Sequence, residues 1–146
     1  PGRLERVRSA PTVYLDAAHN PHGARALAAA LRDEFDFQRL IGVVAVLGDK
    51  DVLGLLEALE PVLDTIVLTN NGSPRALSTE LLEEAATPIF GEDRVVVAPF
   101  LPDAVEQAIA LAEADEGAPL SGAGVVITGS VVTAGAARSL FGKDPA

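Results

Sequence analysis

Five short apolar runs punctuate the chain, at 12–15, 41–47, 65–69, 94–98 and 124–128, each rich in β-branched residues and nearly free of polar interruption. Runs of that length and continuity read as strands buried on both faces, as in a parallel sheet covered by helices. Between them, apolar residues recur at helical spacing: Ala24, Leu27, Ala28 and Leu31; then Leu55, Leu59 and Val62; then Val105, Ala108, Ile109 and Ala112. The pattern predicts helices over 21–34, 51–63, 78–86, 102–115 and 130–139. Local punctuation agrees, since Asn20 before Pro21 suits an N-cap followed by proline at the first helical position, and Ser78 offers a hydroxyl cap ahead of Leu81. Ahead of these units, Leu4 to Arg8 reads as an alternating strand. Ser9-Ala10-Pro11 then turns the chain into Thr12, which predicts an antiparallel pair with the first strand on an edge. The remainder is a βα unit repeated five times. Right-handed crossovers arrange such units as a Rossmann-like, doubly wound, mostly parallel sheet, here expected as a single domain over residues 1–146.

Composition narrows the function classes. A chain of 146 residues, 49% hydrophobic, can bury about two-thirds of its unfolded surface and so form an ordinary core. A formal charge of -10 argues against non-specific binding to nucleic acid or to anionic membranes. The absence of cysteine excludes disulfides, thiolate metal sites and thiol nucleophiles. No apolar run approaches the length of a membrane span, and no secretory signal opens the chain. Methionine is absent even at position 1, so either a processed product or, preferably, a piece of something larger is expected. The charge is also uneven: residues 1–32 carry a local +3, and residues 33–146 carry -13. An anionic ligand should therefore meet the first segment.

In an open α/β sheet, ligands bind beyond the carboxyl ends of the strands. The segments that follow the strands here are Asp16 to Gly23, Gly48 to Asp51, Asn70 to Ser73, Ala98 to Phe100, and Thr128 to Ser130. Asp16 is the sharpest residue among them. It ends an apolar strand, where a carboxylate is costly unless it faces a site, and it precedes a helix N-terminus, which favours anions. It suits hydrogen bonds from hydroxyls such as those of a ribose; the alternative is a carboxylate capping its own loop. His19 suits a polar ligand contact or general acid–base role. His22 falls on the first helical turn and reads as surface. Asp16, His19 and His22 resemble a metal set, but nothing supplies a fourth ligand, so no metal site is expected in this chain. Asp49-Lys50-Asp51 is either a charged turn or part of the active edge. Thr128-Gly129-Ser130 places small hydroxyls and a flexible glycine directly ahead of the last helix, where backbone N–H groups can hold a phosphate or carboxylate. The chain has neither a G-x-x-x-x-G-K-[ST] phosphate loop, nor G-x-G-x-x-G after the first parallel strand, nor a G-x-S-x-G elbow, so the domain looks catalytically incomplete.

These residues together resemble the C-terminal domain of the Mur ligase superfamily, and specifically of folylpolyglutamate synthase/dihydrofolate synthase. Pro1-Gly2-Arg3-Leu4-Glu5 is similar to the family's P-G-R-[LF]-E opening of this domain. Leu15-Asp16-Ala17-Ala18-His19-Asn20-Pro21 is similar to its D-G-A-H-N-P, and Gly48-Asp49-Lys50-Asp51 to its D-K-D turn. Thr128-Gly129-Ser130, running on to Gly135 and Arg138, parallels T-G-S-L-Y-x-x-G-x-x-R. Two departures stand out: Ala17 where glycine is usual, and Val131-Val132 where Leu-Tyr is usual.

The resemblance implies a cytoplasmic enzyme that joins L-glutamate to folate or dihydropteroate, using ATP and magnesium, through an acyl phosphate that the glutamate amine attacks. It also implies a separate N-terminal ATPase domain, outside this chain, that carries the phosphate loop and the magnesium ligands, so that the isolated domain is expected to be inactive. Carried across residue by residue, Arg3 and Asp16 match the family's ATP contacts in this domain, and the guanidinium fork of Arg3 suits nucleotide phosphates. His19 and Ser130 match positions near the glutamate and the reacting phosphate. Asp49, Lys50 and Asp51 rank lower, as helpers at the domain interface. Two alternatives stay open: a receiver-like or ligand-sensing module with Asp16, Asp49 and Asp51 as an acidic pocket, and a cell-wall peptide ligase domain of the same superfamily.

Overall fold

The computed structural model describes residues 4–34, 39–114 and 122–142. Its strands are β1 (Glu5–Ser9), β2 (Thr12–Leu15), β3 (Arg39–Val44), β4 (Thr65–Asn70), β5 (Val95–Phe100) and β6 (Ala123–Thr128). The helices are α1 (Pro21–Glu34), α2 (Val52–Leu59), α3 (Thr79–Phe90), α4 (Leu101–Glu113) and α5 (Val131–Leu140). The six strands form one sheet in the order β1-β2-β6-β3-β4-β5. Among these strands only β1 and β2 pair antiparallel, and β1 lies on the edge, as the turn at Ser9 to Pro11 predicts.

Alternation along the strands divides the core in two. One face joins Tyr14, Val44, Leu68 and Val126 to Leu27 and Leu31 of α1, Leu55 and Leu59 of α2, and Leu82 and Phe90 of α3. The other joins Val13, Ile41, Val67 and Ile127 to Ala104, Val105 and Ala108 of α4 and Ala137 of α5. The interiors of β2, β3, β4 and β6 are thus buried on both sides, which is why these strands read as continuous apolar runs. The placement of the helices also sets the crevice. β6 lies between β2 and β3, whose following helices cover one face, whereas the helix after β6 covers the other. The chain therefore parts to opposite faces beyond the carboxyl ends of β2, β6 and β3, where open α/β sheets bind ligands.

Several boundaries differ from the sequence expectation, each for a physical reason. β3 stops at Val44 although the apolar run continues to Leu47. Residues Ala45, Val46 and Leu47 stay buried, but the chain swings to pair with the loop after β4, where Leu77 N donates to Val46 O at 2.9 Å and Gly48 N to Arg75 O at 2.9 Å. α2 ends at Leu59, just before Pro61, which cannot continue the helical hydrogen bonding. α3 instead runs through Pro88 to Phe90. Pro88 sits on the exposed side of the helix. β5 extends through Pro99 because it is the outer strand, where a missing N–H costs little.

At the end of the sheet away from the crevice, one side chain ties three elements together. Arg94 donates from Nε to Asp64 O, from Nη1 to Glu60 Oε2 and Phe90 O, and from Nη2 to Glu60 O and Leu63 O. All five guanidinium N–H groups are used, and the ring of Phe90 lies 5.0 Å beneath. Replacing Arg94 by alanine is expected to lower stability by about 2–3 kcal/mol, because several carbonyls lose a charged donor. Arg94→Lys should lose much of the same, since an ammonium cannot fill a planar fork. Urea denaturation of the domain checks this; an unchanged midpoint in both variants would show the clamp to be without energetic weight.

Candidate active site

Asp16 continues the β2–β6 ladder one residue beyond the strand, its N–H donating to Ile127 O at 3.0 Å. Its side chain is buried. Oδ1 accepts from Leu4 N and Oδ2 from Ala18 N, both at 3.0 Å. The carboxylate thus draws the start of β1 and the β2–α1 loop together, so the loop-capping and ligand-facing readings of Asp16 are compatible: it does the first while lining a cleft. That cleft, of about 350 Å³, runs between Leu4, the loop at Asp16 to His19, and the small residues Gly23, Ala26 and Ala30 of α1. The small side chains of those three residues leave space open beside Leu27, which also lines the cleft.

His19 lines the same cleft and is half-buried. Its Nδ1 lies 3.1 Å from Ala17 O. A carbonyl only accepts, so Nδ1 is the donor in this contact. Asn20 then caps α1 by accepting from Gly23 N at 2.8 Å, ahead of Pro21. His22 is exposed on the first turn, as expected. An apolar wall beside a carboxylate and an imidazole can hold a flat ring and accept hydrogen bonds from its attached hydroxyls.

Gly129 stitches the crevice shut from below. Its N–H donates to Ala18 O at 3.2 Å, while Ala45 N donates to Thr128 O at 3.3 Å. At φ +124° it occupies a conformation that L side chains rarely adopt, and a Cβ there would lie 2.1 Å from Ala45 O. Glycine is therefore obligatory. Ser130 follows as the N-cap of α5, buried, its Oγ accepting from Thr133 N at 2.9 Å. Its hydroxyl faces into the protein rather than into the cleft, and Thr133 and Asn71 surround it.

The remaining candidates separate. Asp49 accepts from Arg75 Nη2 at 2.8 Å in an exposed ion pair that joins the loops after β3 and β4. The hydrogen bond from Arg75 holds the Asp49 carboxyl below its usual range, so the pair persists at neutral pH and is lost only in acid, as pH falls through the lowered value. Asp51 caps α2 by accepting from Gly54 N at 3.0 Å. Gly54 in turn packs against α1, where a Cβ would come within 2.7 Å of Pro21 Cγ, so the 49–51 turn stands beside the start of α1. Lys50 forms no ion pair among the described residues. Among the described residues no group of three His, Cys, Asp or Glu side chains could hold a metal ion. With Asp49 and Asp51 engaged elsewhere, they do not join Asp16 in one acidic pocket. Arg3 lies outside the described residues.

Sequence reasoning missed the roles of Asn71, Thr133 and Arg75. It also missed the ion pair of Arg138 with Glu5, which joins α5 to β1. Glu5 and Arg138 both fall in the segments that carry the family resemblance. The structure gives those two positions a role in joining the ends of the domain.

An open α/β domain with an acid–histidine loop and a glycine-stitched helix start at its crevice defines a class. The chain belongs to the Mur ligase family through its glutamate ligase domain, whose profile matches residues 2–131. A dihydrofolate synthase/folylpolyglutamate synthase of Mycobacterium tuberculosis is 62% identical over 151 residues, covering 99% of this chain and 31% of the relative. A crystal structure of the folylpolyglutamate synthase of Mycobacterium tuberculosis, complexed with ADP and AMPPCP, superposes with a TM-score of 0.95 at 62% identity, over 100% of this chain and 33% of that one. A bifunctional folylpolyglutamate synthase/dihydrofolate synthase with Mn, AMPPNP and L-glutamate bound gives 0.79 at 27% identity, over 97% of this chain and 32% of that one. The chain thus spans about a third of the length of the relatives it matches.

Gly129→Ala is expected to cost at least about 3 kcal/mol, combining a disfavoured backbone angle with a clash against a carbonyl that cannot move without breaking the ladder. Thermal denaturation checks it; a melting temperature equal to that of the parent would contradict the close approach to Ala45.

Proposed function

We propose that this chain is the C-terminal domain of an ATP-dependent ligase that adds L-glutamate to folate or dihydropteroate through an acyl phosphate, and that it works only beside an N-terminal ATPase domain of the same protein. The observation that carries the reading is the 62% identity to a dihydrofolate synthase/folylpolyglutamate synthase across 99% of the chain, motif segments at the crevice included. The site supports it. The cleft beside Asp16 suits a nucleoside, with an apolar wall for the base and a carboxylate for ribose hydroxyls, and Arg3 suits the phosphates. In this reading His19 and the backbone N–H groups of the first turn of α5 after Ser130 meet the glutamate and the transferring phosphoryl group. On the same reading the magnesium that accompanies ATP is held by the partner domain.

The distribution of exposed apolar residues fits a missing lobe. Of the six exposed large apolar residues described, Leu53, Leu81, Phe100, Val131 and Val132 lie at the carboxyl end of a strand or in the first turn of the next helix, at the crevice end of the sheet, and Leu140 lies at the far end of α5. A domain that closes over a partner excludes water from the reacting groups, and its work is largely positioning and charge stabilisation. Asp49, Lys50 and Asp51 fall on the same rim, where they would border that partner. A cytoplasmic setting belongs to the same reading and follows from the kinship to a biosynthetic ligase. No helix among the described residues is long and apolar enough to cross a membrane.

The test compares this chain with the full-length ligase. The isolated domain is expected to show no ATP-dependent ligation of glutamate, and the full-length protein to show it. In the latter, His19→Ala and Asp16→Asn should each lower kcat/KM by about a hundredfold through misplaced reactants. Wild-type rates in both variants, in protein of unchanged circular dichroism, would contradict the site.

A further inference from the structure

The loop after β4 makes a connection across the rim that the ligase reading leaves unused. Asn71 Nδ2 donates to Thr133 Oγ1 at 3.1 Å and reaches Ser130 Oγ at 3.4 Å, across 62 and 59 residues of chain. Its Oδ1 accepts from Ser73 N at 3.0 Å, which fixes the way the amide faces. The protons can then be followed one by one. Thr133 Oγ1 gives its only proton to Ala45 O at 2.7 Å. The 2.9 Å contact between the two hydroxyls must therefore take its proton from Ser130. Ser130 Oγ accepts in turn from Thr133 N at 2.9 Å, and Asn71 completes the set. Both hydroxyl side chains are buried, and every proton and lone pair on them has a partner. A saturated buried network of this kind holds one geometry.

We propose that Asn71 is a positioning residue for the reaction. Acting through Thr133 and Ser130, it locks the first turn of α5 to the carboxyl ends of β3 and β4, and so sets where that turn meets the reacting groups. The inference rests on the ligase reading of the rim. It also narrows the role of Ser130: its proton is committed to Thr133, so its contribution comes through the backbone it caps rather than through a hydroxyl donated to substrate.

The substitutions separate positioning from mere folding. Asn71→Asp keeps the acceptor for Ser73 N but has no proton for either hydroxyl. Thr133→Val keeps the shape and removes the hub, whereas Thr133→Ser restores the hydroxyl. Each is measured in the full-length ligase by kcat, by KM for ATP and for glutamate, and by melting temperature. Asn71→Asp and Thr133→Val are expected to lower kcat about ten- to a hundredfold. KM for ATP should stay within about twofold, because the nucleotide cleft is formed elsewhere on the rim. Thr133→Ser is expected to recover most of the rate. The proposal is overturned if the variants melt earlier yet keep kcat, or if neither quantity moves. Should Asn71→Asp fail to fold, the comparison of Thr133→Val with Thr133→Ser decides between the two outcomes. Asp16→Asn, measured alongside, tells the two readings apart. If it slows catalysis while the Asn71 and Thr133 variants do not, the positioning role alone fails; if it too keeps wild-type rates, the ligase site fails and the positioning role falls with it.

Discussion

The contact between Gly129 and Ala45 O is the constraint on which the crevice depends. Three chain segments must leave the sheet side by side, after β2, β3 and β6, and the last of them turns to the face opposite the other two. Gly129 allows this by taking a backbone angle closed to other residues while donating to Ala18 O and lying against Ala45 O. Ala45 then serves both sides, its N–H bonded to Thr128 O and its carbonyl to Thr133 Oγ1. Without that close approach, α5 would not start where it does, and Asp16 and Ser130 would not share one rim.

Several irregular features of the molecule gather at this rim. The interiors of β2, β3, β4 and β6 are buried, and the far end of the sheet is clamped by Arg94. At the crevice end lie the strained glycine, the exposed apolar side chains, and the buried hydroxyls of Thr69 and Thr128, which have no partner among the described residues. Folds that break their own rules in one place commonly do so where they bind. The Asp16 loop and the network at Ser130 are two parts of this rim, each fixed by its own hydrogen bonds.

Much of this was legible in the chain. Continuous β-branched runs disclosed the parallel sheet, and the Ser9 to Pro11 turn disclosed the antiparallel edge, because both patterns report burial and turn chemistry directly. Helix starts at Pro21 and Thr79 were readable from Asn20 and Ser78. Strand ends were not: the run through Leu47 is apolar because it is buried, and burial does not distinguish a ladder from an extended loop. Asp16 stood out because a carboxylate ending an apolar strand is costly, and His19 because it follows in the same loop. Asn71 and Thr133 escaped because a hydrogen bond between residues 62 apart leaves no local signature. The clamp at Arg94 and the pair of Arg138 with Glu5 escaped for the same reason. Asp51 ranked lower among the candidates, and its carboxylate caps a helix, a role that sequence position alone does not separate from ligand binding.

The most direct measurement is amide hydrogen exchange of the full-length ligase with and without AMPPCP and L-glutamate. A rim that forms half of the reaction site should gain protection over residues 16–23 and 129–133 when the ligands bind, while the strand interiors keep the slow exchange they already have. Ligand binding that leaves both segments unchanged would contradict the account, because the crevice would then be a structural seam and not part of the site.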